Sequence, residues 1–146
     1  MDKGLAVLLT AAMGGLIAAQ APINGRLGED IGKFPAAAVS FIGGTILLTL
    51  IVLIAGEGFG KISDSSLPWY YFVGGLLGAA YISTVIFTVG TLGAGGIVGA
   101  TIAGQLVASV LLDRFGAFGV QEHPLTASRL IGVALLAAGT YLIVAD

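Results

Sequence analysis

Long apolar runs separated by short charged segments dominate the pattern along the chain. The runs without a charged residue cover 4–25, 34–56, 65–112 and 130–145. A bilayer core about 30 Å thick needs roughly 20 apolar residues in a helix, so the third run is long enough for two spans and a turn. The apolar residues are continuous rather than alternating, which argues against the strands of a membrane barrel.

We therefore predict an all-α, polytopic membrane protein in which residues 1–146 form a single domain of five transmembrane helices. The predicted helices lie near residues 4–25, 35–55, 67–90, 96–113 and 126–144. Glycines at 90–96 are expected to form the turn between the third and fourth helices, because glycine relaxes helical geometry. Thr126 is expected to cap the fifth helix.

The composition supports a membrane protein and excludes several kinds of chemistry. The chain is 57% hydrophobic and 10% charged, whereas a soluble domain has about 25% charged residues. It has no Cys and one His, at position 123, so thiol catalysis and cysteine metal sites are excluded. We predict no enzyme activity, no cofactor, no metal site and no nucleic-acid partner.

The distribution of basic residues predicts orientation only weakly. With five helices the termini lie on opposite faces, and the basic residues divide four against two. The N-terminal face has Lys3, Lys61, Arg114 and Arg129, and the other face has Arg26 and Lys33. The positive-inside rule thus favours a cytoplasmic N-terminus by a small margin. A single orientation and insertion in both orientations are equally compatible with these charges.

The first apolar segment also has an A-x-A pattern at residues 19–21, which is typical of signal-peptide cleavage sites. We expect this segment to be retained, because Pro22 would directly follow the cut.

An odd number of helices has a structural consequence. A five-helix unit that pairs with an inverted copy of itself forms the inverted repeat that many transporters use. We therefore expect an antiparallel 5+5 homodimer.

Polar side chains inside the apolar runs are the candidate binding residues, because polar groups in a bilayer need a partner or a cavity. Gln20 and Asn24 share a face of the first helix beside Pro22. With Ser40, Thr84 and Thr88 they are predicted to lie in the half of the membrane nearer the C-terminal face. The structural alternatives are that the amides bind backbone or neighbouring helices and that the threonines bond to their own helix.

The fourth predicted helix has a second polar face, formed by Gln105, Ser109 and Asp113 at spacings of four. Gln105 is expected near the membrane midplane, as the floor of a neutral polar vestibule. Asp113, Arg114 and Arg129 are candidates for a gate or for ion coupling near the other face. The structural alternative for Asp113 is a salt bridge that braces the loop before the fifth helix.

Several segments together resemble the YdcZ family, a five-helix group of the drug/metabolite transporter superfamily. They are residues 20–27 (QAPINGRL), 74–78 (GGLLG), 104–105 (GQ), Ser109, 113–116 (DRFG) and 129–132 (RLIG). The resemblance covers nearly the whole chain. It implies a multi-pass protein of the bacterial inner membrane, half the size of ten-helix exporters, that acts as an antiparallel dimer or with a second gene product. The chain lacks the central first-helix glutamate of the small multidrug resistance branch, so that branch's proton exchange is not carried over.

The resulting functional hypothesis is a transporter of a small polar or zwitterionic solute that works as an antiparallel homodimer by alternating access. The neutral amide and hydroxyl groups are the expected solute contacts. A passive channel is one alternative. A non-transporting membrane scaffold or a subunit that needs a partner chain is the other.

Overall fold

The computed structural model describes residues 2–60, 67–119 and 121–145. Four helices follow one another along the chain, and none of these described residues is in a β-strand. They are α1 (Lys3–Ile31), α2 (Lys33–Ile54), α3 (Val73–Phe115) and α4 (Ala127–Ala145). Short 3-10 helices, Trp69–Phe72 and Ala117–Gly119, precede and follow α3. All four α-helices are long and apolar enough to cross a membrane, which confirms the all-helical prediction.

Helix α3 is interrupted at one residue. Gly93 has φ 65° and ψ 172°, far from helical values, while the residues on both sides are helical. We call residues 73–92 the first segment of α3 and residues 94–115 the second segment. The sequence-based expectation of a seven-residue turn at 90–96 is wrong, because only Gly93 leaves the helical conformation. A positive φ is readily accessible to glycine, so one residue is enough for the interruption.

Helix α1 is longer than its apolar run. The predicted end at residue 25 is wrong, because the helix continues to Ile31. Charged residues end an apolar run without ending a helix, and Arg26 forms a salt bridge of 3.2 Å with Glu29 on the same helix. The helix stops before Gly32, which has φ 95°.

The remaining predicted bounds agree more closely with the structure. Helices α2 and α4 differ from prediction by one or two residues at each end. The third predicted helix begins late, at Val73, because the chain is extended at Pro68 and first forms a 3-10 turn. Thr126 accepts a hydrogen bond of 3.3 Å from the backbone N–H of Arg129, as the predicted cap requires. Lys61, assigned above to the N-terminal face, lies outside the described residues.

The chain forms two compact units, residues 20–90 and residues 1–19 with 91–146. We call them the middle unit and the terminal unit and describe each by itself. The core of the middle unit consists of Ala36 and Ala37 of α2 with Ile82 and Ile86 of the first α3 segment. The prediction of a single domain stays a prediction.

Glycine allows close helix contact in the middle unit. A Cβ placed on Gly28 would lie 2.7 Å from Cγ2 of Ile86, and one on Gly25 would lie 2.6 Å from Cγ1 of Val89. Both distances are shorter than an ordinary van der Waals contact. Helix α1 therefore approaches the first α3 segment along a surface that only glycine fits, as expected where helices pack in lipid.

The terminal unit is joined by a different contact between helices. The hydroxyl of Thr140 on α4 donates a 2.9 Å hydrogen bond to the backbone carbonyl of Gly99 in the second α3 segment. Ile97 and Val110 of the same segment are buried. The absent side chain of Gly99 leaves room for Thr140, whose Cγ2 would lie 3.3 Å from a Cβ there.

Large apolar side chains cover the outside of the helices. Leu8, Ile54 and Leu77 are exposed, and many other Leu, Ile, Val and Phe residues are exposed with them. The buried positions include small residues such as Ala21, Ala36 and Ala37. A soluble domain avoids apolar patches of this size, and the arrangement fits helices whose outer surface contacts lipid tails.

Candidate functional site

Among the described residues Asn24 has the one buried polar side chain, and its exposed fraction is 5%. Its Nδ2 donates a hydrogen bond of 3.2 Å to Oγ of the half-buried Ser40. The two candidates predicted from α1 and α2 are therefore brought together inside the middle unit. Asn24 lies two residues after Pro22 and directly before Gly25, one of the two glycines at which α1 closely approaches the first α3 segment.

Gln20 lies one helical turn before Asn24 on α1. Its side chain is half-buried, and it forms no hydrogen bond with any described residue. The carboxamide thus keeps both its donor and its acceptor capacity for water, a solute or another chain.

Thr84 and Thr88 are bonded within their own helix. Thr84 Oγ1 donates to the carbonyl of Ala80 at 2.9 Å, and Thr88 Oγ1 donates to the carbonyl of Thr84 at 2.9 Å. This back-bonding is the structural alternative described above, and it uses the one proton of each hydroxyl. Each oxygen can still accept a hydrogen bond from another group.

Gln105 lies near the middle of the second α3 segment. It is the twelfth of the 22 residues from Ala94 to Phe115, and its side chain is exposed. The carboxamide forms no hydrogen bond with any part of the chain that the structure describes. Ser109, one turn later, is also exposed and donates to the carbonyl of Leu106 at 3.0 Å.

The charged candidates of the terminal unit form a brace between helices. Nη1 of Arg129 on α4 donates to Oδ2 of Asp113 at 3.1 Å, and each side chain is about one-third exposed. The backbone N–H of His123 donates to the backbone carbonyl of Asp113 at 2.9 Å. These contacts match the structural alternative for Asp113, a salt bridge that braces the loop before the last helix. Arg114 is exposed and joins neither contact.

A cleft of about 330 Å³ lies in the middle unit beside the end of α1. We call it the basic cleft. Its lining includes the charged residues Arg26, Glu29 and Lys33 and the ring of Phe87. Nζ of Lys33 lies 4.5 Å from the centroid of that ring, a cation–π distance.

The basic cleft was not predicted from the sequence, where Arg26 and Lys33 counted only as signals of orientation. The local signal was present, because residues 26–33 hold four charges between two apolar runs. Its use as a site depends on Phe87, about 60 positions later in the chain, and no sequence period connects that residue to the charges.

The predicted candidates divide between the two units. The middle unit contains Gln20, Asn24, Ser40, Thr84 and Thr88, and the terminal unit contains Gln105, Ser109, Asp113, Arg114 and Arg129. Each hydrogen bond and salt bridge described above joins two residues of the same unit. Assignment of these residues to solute binding or to gating stays a prediction.

Comparison with known proteins identifies relatives for nearly the whole chain. The model of a family described as "Putative inner membrane exporter, YdcZ" matches residues 5–142. The chain is also 29% identical over 105 residues to the inner membrane protein YdcZ of Escherichia coli strain K12, an alignment that covers 71% of this chain and 69% of the relative. No solved structure matches the chain. These findings confirm the resemblance found in the sequence and a multi-pass location in the bacterial inner membrane.

Proposed function

The chain belongs to the YdcZ family of inner-membrane proteins, and on that premise we propose that it transports a small polar or zwitterionic solute as an antiparallel homodimer. Alternating access would expose the solute path to one side of the membrane at a time. The proposal includes five membrane spans, because the first and second segments of α3 are counted as separate spans. As one straight helix, 43 residues would extend about 65 Å, roughly twice the bilayer core.

The observation that carries the proposal is the state of Gln105. An exposed carboxamide without a partner near the middle of a membrane span is unfavourable in lipid, since transfer of an amide to a hydrocarbon costs about 4–8 kcal/mol. A water-filled path or a second subunit removes this penalty. We assign Gln105 to the solute path, with Ser109 beside it.

The uncharged character of the candidates supports the solute class. Gln20 and Gln105 present free amide groups, and Asn24 and Ser40 form a neutral pair. Such groups donate to a carboxylate and accept from an ammonium group without adding net charge to the path. Within each unit, groups of this kind fit a zwitterion or a neutral polar molecule better than a bare cation.

The odd number of proposed spans supports the antiparallel dimer. Five spans place the two termini on opposite faces, so an inverted second copy supplies the related half of an inverted repeat. In this arrangement each copy has its own brace of Asp113 and Arg129 at the same end of its helices. Because the copies are inverted, the two braces lie on opposite faces of the membrane.

Flux into proteoliposomes tests the proposal. The purified chain is reconstituted, and uptake of radiolabelled zwitterionic amino acids and neutral polar solutes is compared with protein-free liposomes. We expect saturable flux that Gln105→Leu abolishes and Gln105→Asn partly retains, because Asn keeps the amide. Gln121→Leu is the matched control, since Gln121 lies in the exposed segment before α4.

Two further readouts separate the outcomes. Chemical cross-linking of Gln105→Leu shows whether the variant still forms a dimer. Loss of flux with the dimer intact indicates loss of the solute path, whereas loss of flux with loss of the dimer indicates loss of the partner. Unitary currents far above transporter rates would instead identify a passive channel. Absence of flux across the solute panel, or full flux in Gln105→Leu, would contradict the assignment of Gln105.

A further inference from the structure

The basic cleft contains more positive than negative charge. Arg26 Nη1 and Glu29 Oε2 are 3.2 Å apart and neutralise each other. Lys33 forms no salt bridge with any carboxylate in the described parts of the chain. The charged lining therefore has one uncompensated positive charge, and Lys33 carries it.

The side chain of Lys33 lies beside two neighbours. Its Nζ lies over the ring of Phe87, and its stem adjoins Gly28, where a Cβ would lie 3.7 Å from Cγ of Lys33. The lining of the cleft also includes the apolar side chains of Ile86 and Val89. A cation beside apolar side chains is suited to a ligand that combines an anionic group with a hydrocarbon part.

The pair of Arg26 and Glu29 is open to displacement. Their side chains are mostly exposed, and exposed ion pairs on a helix contribute little to stability. An incoming anion can therefore replace Glu29 as the partner of Arg26. Lys33 then provides the first charge for the ligand, and Arg26 provides a second with a fork of donors that matches carboxylate and phosphate oxygens.

We propose that the basic cleft binds the anionic group of an amphiphilic ligand, a carboxylate or a phosphate, through Lys33 and Arg26, with Glu29 as an internal competitor. The charges of residues 26–33 favour the membrane–water boundary, where such ligands collect. Two sources have this chemistry, the headgroup of an anionic lipid and the anionic group of a dissolved solute. Binding of lipid is independent of the function proposed above, whereas transport of a bound solute rests on it.

Opposite responses to two substitutions test the site. Lys33→Gln removes the free charge and is expected to weaken binding about tenfold or more, as for loss of a hydrogen bond to a charged group. Glu29→Gln removes the competitor and is expected to tighten binding. Lys33→Arg should retain most of the affinity. Lys3→Gln is the matched control, because it removes the same charge from the exposed start of α1.

Two arms distinguish the sources. In the first, native mass spectrometry measures how much phosphatidylglycerol, relative to phosphatidylcholine, remains on full chains released from mixed nanodiscs. In the second, hexyl phosphate and hexanoate are titrated onto chains in nanodiscs of phosphatidylcholine alone and followed by microscale thermophoresis. Both arms measure binding without flux, so their results do not depend on whether transport occurs.

The outcomes are distinct. Retention of phosphatidylglycerol that follows the expected order of variants, without hexyl phosphate or hexanoate binding, supports the site with lipid as its ligand. Binding of either short-chain anion in the same order supports the site with a dissolved ligand. If Lys33→Gln and Glu29→Gln match Lys3→Gln in both arms, or shift binding in the same direction, the proposal is overturned.

Discussion

The contact of Gly28 with Ile86 allows a quantitative prediction about the middle unit. Gly28→Ala adds a Cβ at 2.7 Å from Cγ2 of Ile86, whereas ordinary van der Waals contact begins at 3.4 Å. The two helices or the side chain must therefore separate by about 0.7 Å. Ile86 is 3% exposed and packs in the core with Ala36, Ala37 and Ile82, so a shift of its side chain disturbs this packing.

Overpacking of this kind typically lowers the free energy of unfolding by about 1–3 kcal/mol. Replacement of a helical glycine by alanine also raises helix stability, by about 0.8–1 kcal/mol in the helix interior. Gly75→Ala is the matched control, since a Cβ at Gly75 would meet nothing within 4 Å. The gain in helix propensity is common to both variants, so we expect Gly28→Ala to be less stable than Gly75→Ala by about 1–3 kcal/mol.

Unfolding in detergent micelles on titration with sodium dodecyl sulfate measures both variants. Helix content is followed by circular dichroism and the middle unit by fluorescence of Trp69, the one tryptophan of the chain. The double variant with Ile86→Ala removes the clashing Cγ2, and its loss of stability should be smaller than the sum of the two single losses. Equal stability of Gly28→Ala and Gly75→Ala, or strict additivity in the double variant, would refute the reasoning.

Three smaller effects are expected elsewhere. A double-mutant cycle with Asn24→Ala and Ser40→Ala should give a coupling of about 0.6 kcal/mol and at most about 1.7 kcal/mol, the range for hydrogen bonds between membrane helices; no coupling would contradict the observed pair. The same cycle with Asp113→Asn and Arg129→Gln should give about 1 kcal/mol or less, declining at high salt, because both groups are partly exposed. Thr140→Val should lower the free energy of unfolding by about 0.5–1.5 kcal/mol, because the hydrogen bond to the backbone carbonyl is lost. Thr140→Ser keeps the hydroxyl and should retain most of that stability.

The helices themselves were predictable because the bilayer imposes a simple rule on the sequence. Apolar runs of sufficient length located α2 and α4 within two residues, and Thr126 marked the start of α4. The rule fails where a helix continues beyond the apolar region. Helix α1 extends through Arg26 and Glu29 because a charge at the boundary does not break backbone hydrogen bonds.

The turn and the site were less predictable, for physical reasons. Seven residues at 90–96 include four glycines, and nothing in their order shows that Gly93 alone leaves the helix. The direction of the predicted helices led us to expect Asn24 and Ser40 in one half of the membrane, but their hydrogen bond depends on how α1 and α2 pack. The basic cleft depends on contact between α1 and the first α3 segment, which joins residues far apart in sequence.

The central claim, an antiparallel homodimer, is tested most directly by the sidedness of one loop residue. The chain has no Cys, so Gln121→Cys introduces a unique thiol in the exposed segment before α4. Intact spheroplasts and inside-out vesicles are each labelled with a membrane-impermeant maleimide, and the cell membrane is then dissolved to label the remaining thiols. The account predicts comparable labelling from both sides, because the two copies insert in opposite orientations. Labelling from one side alone would contradict the antiparallel homodimer.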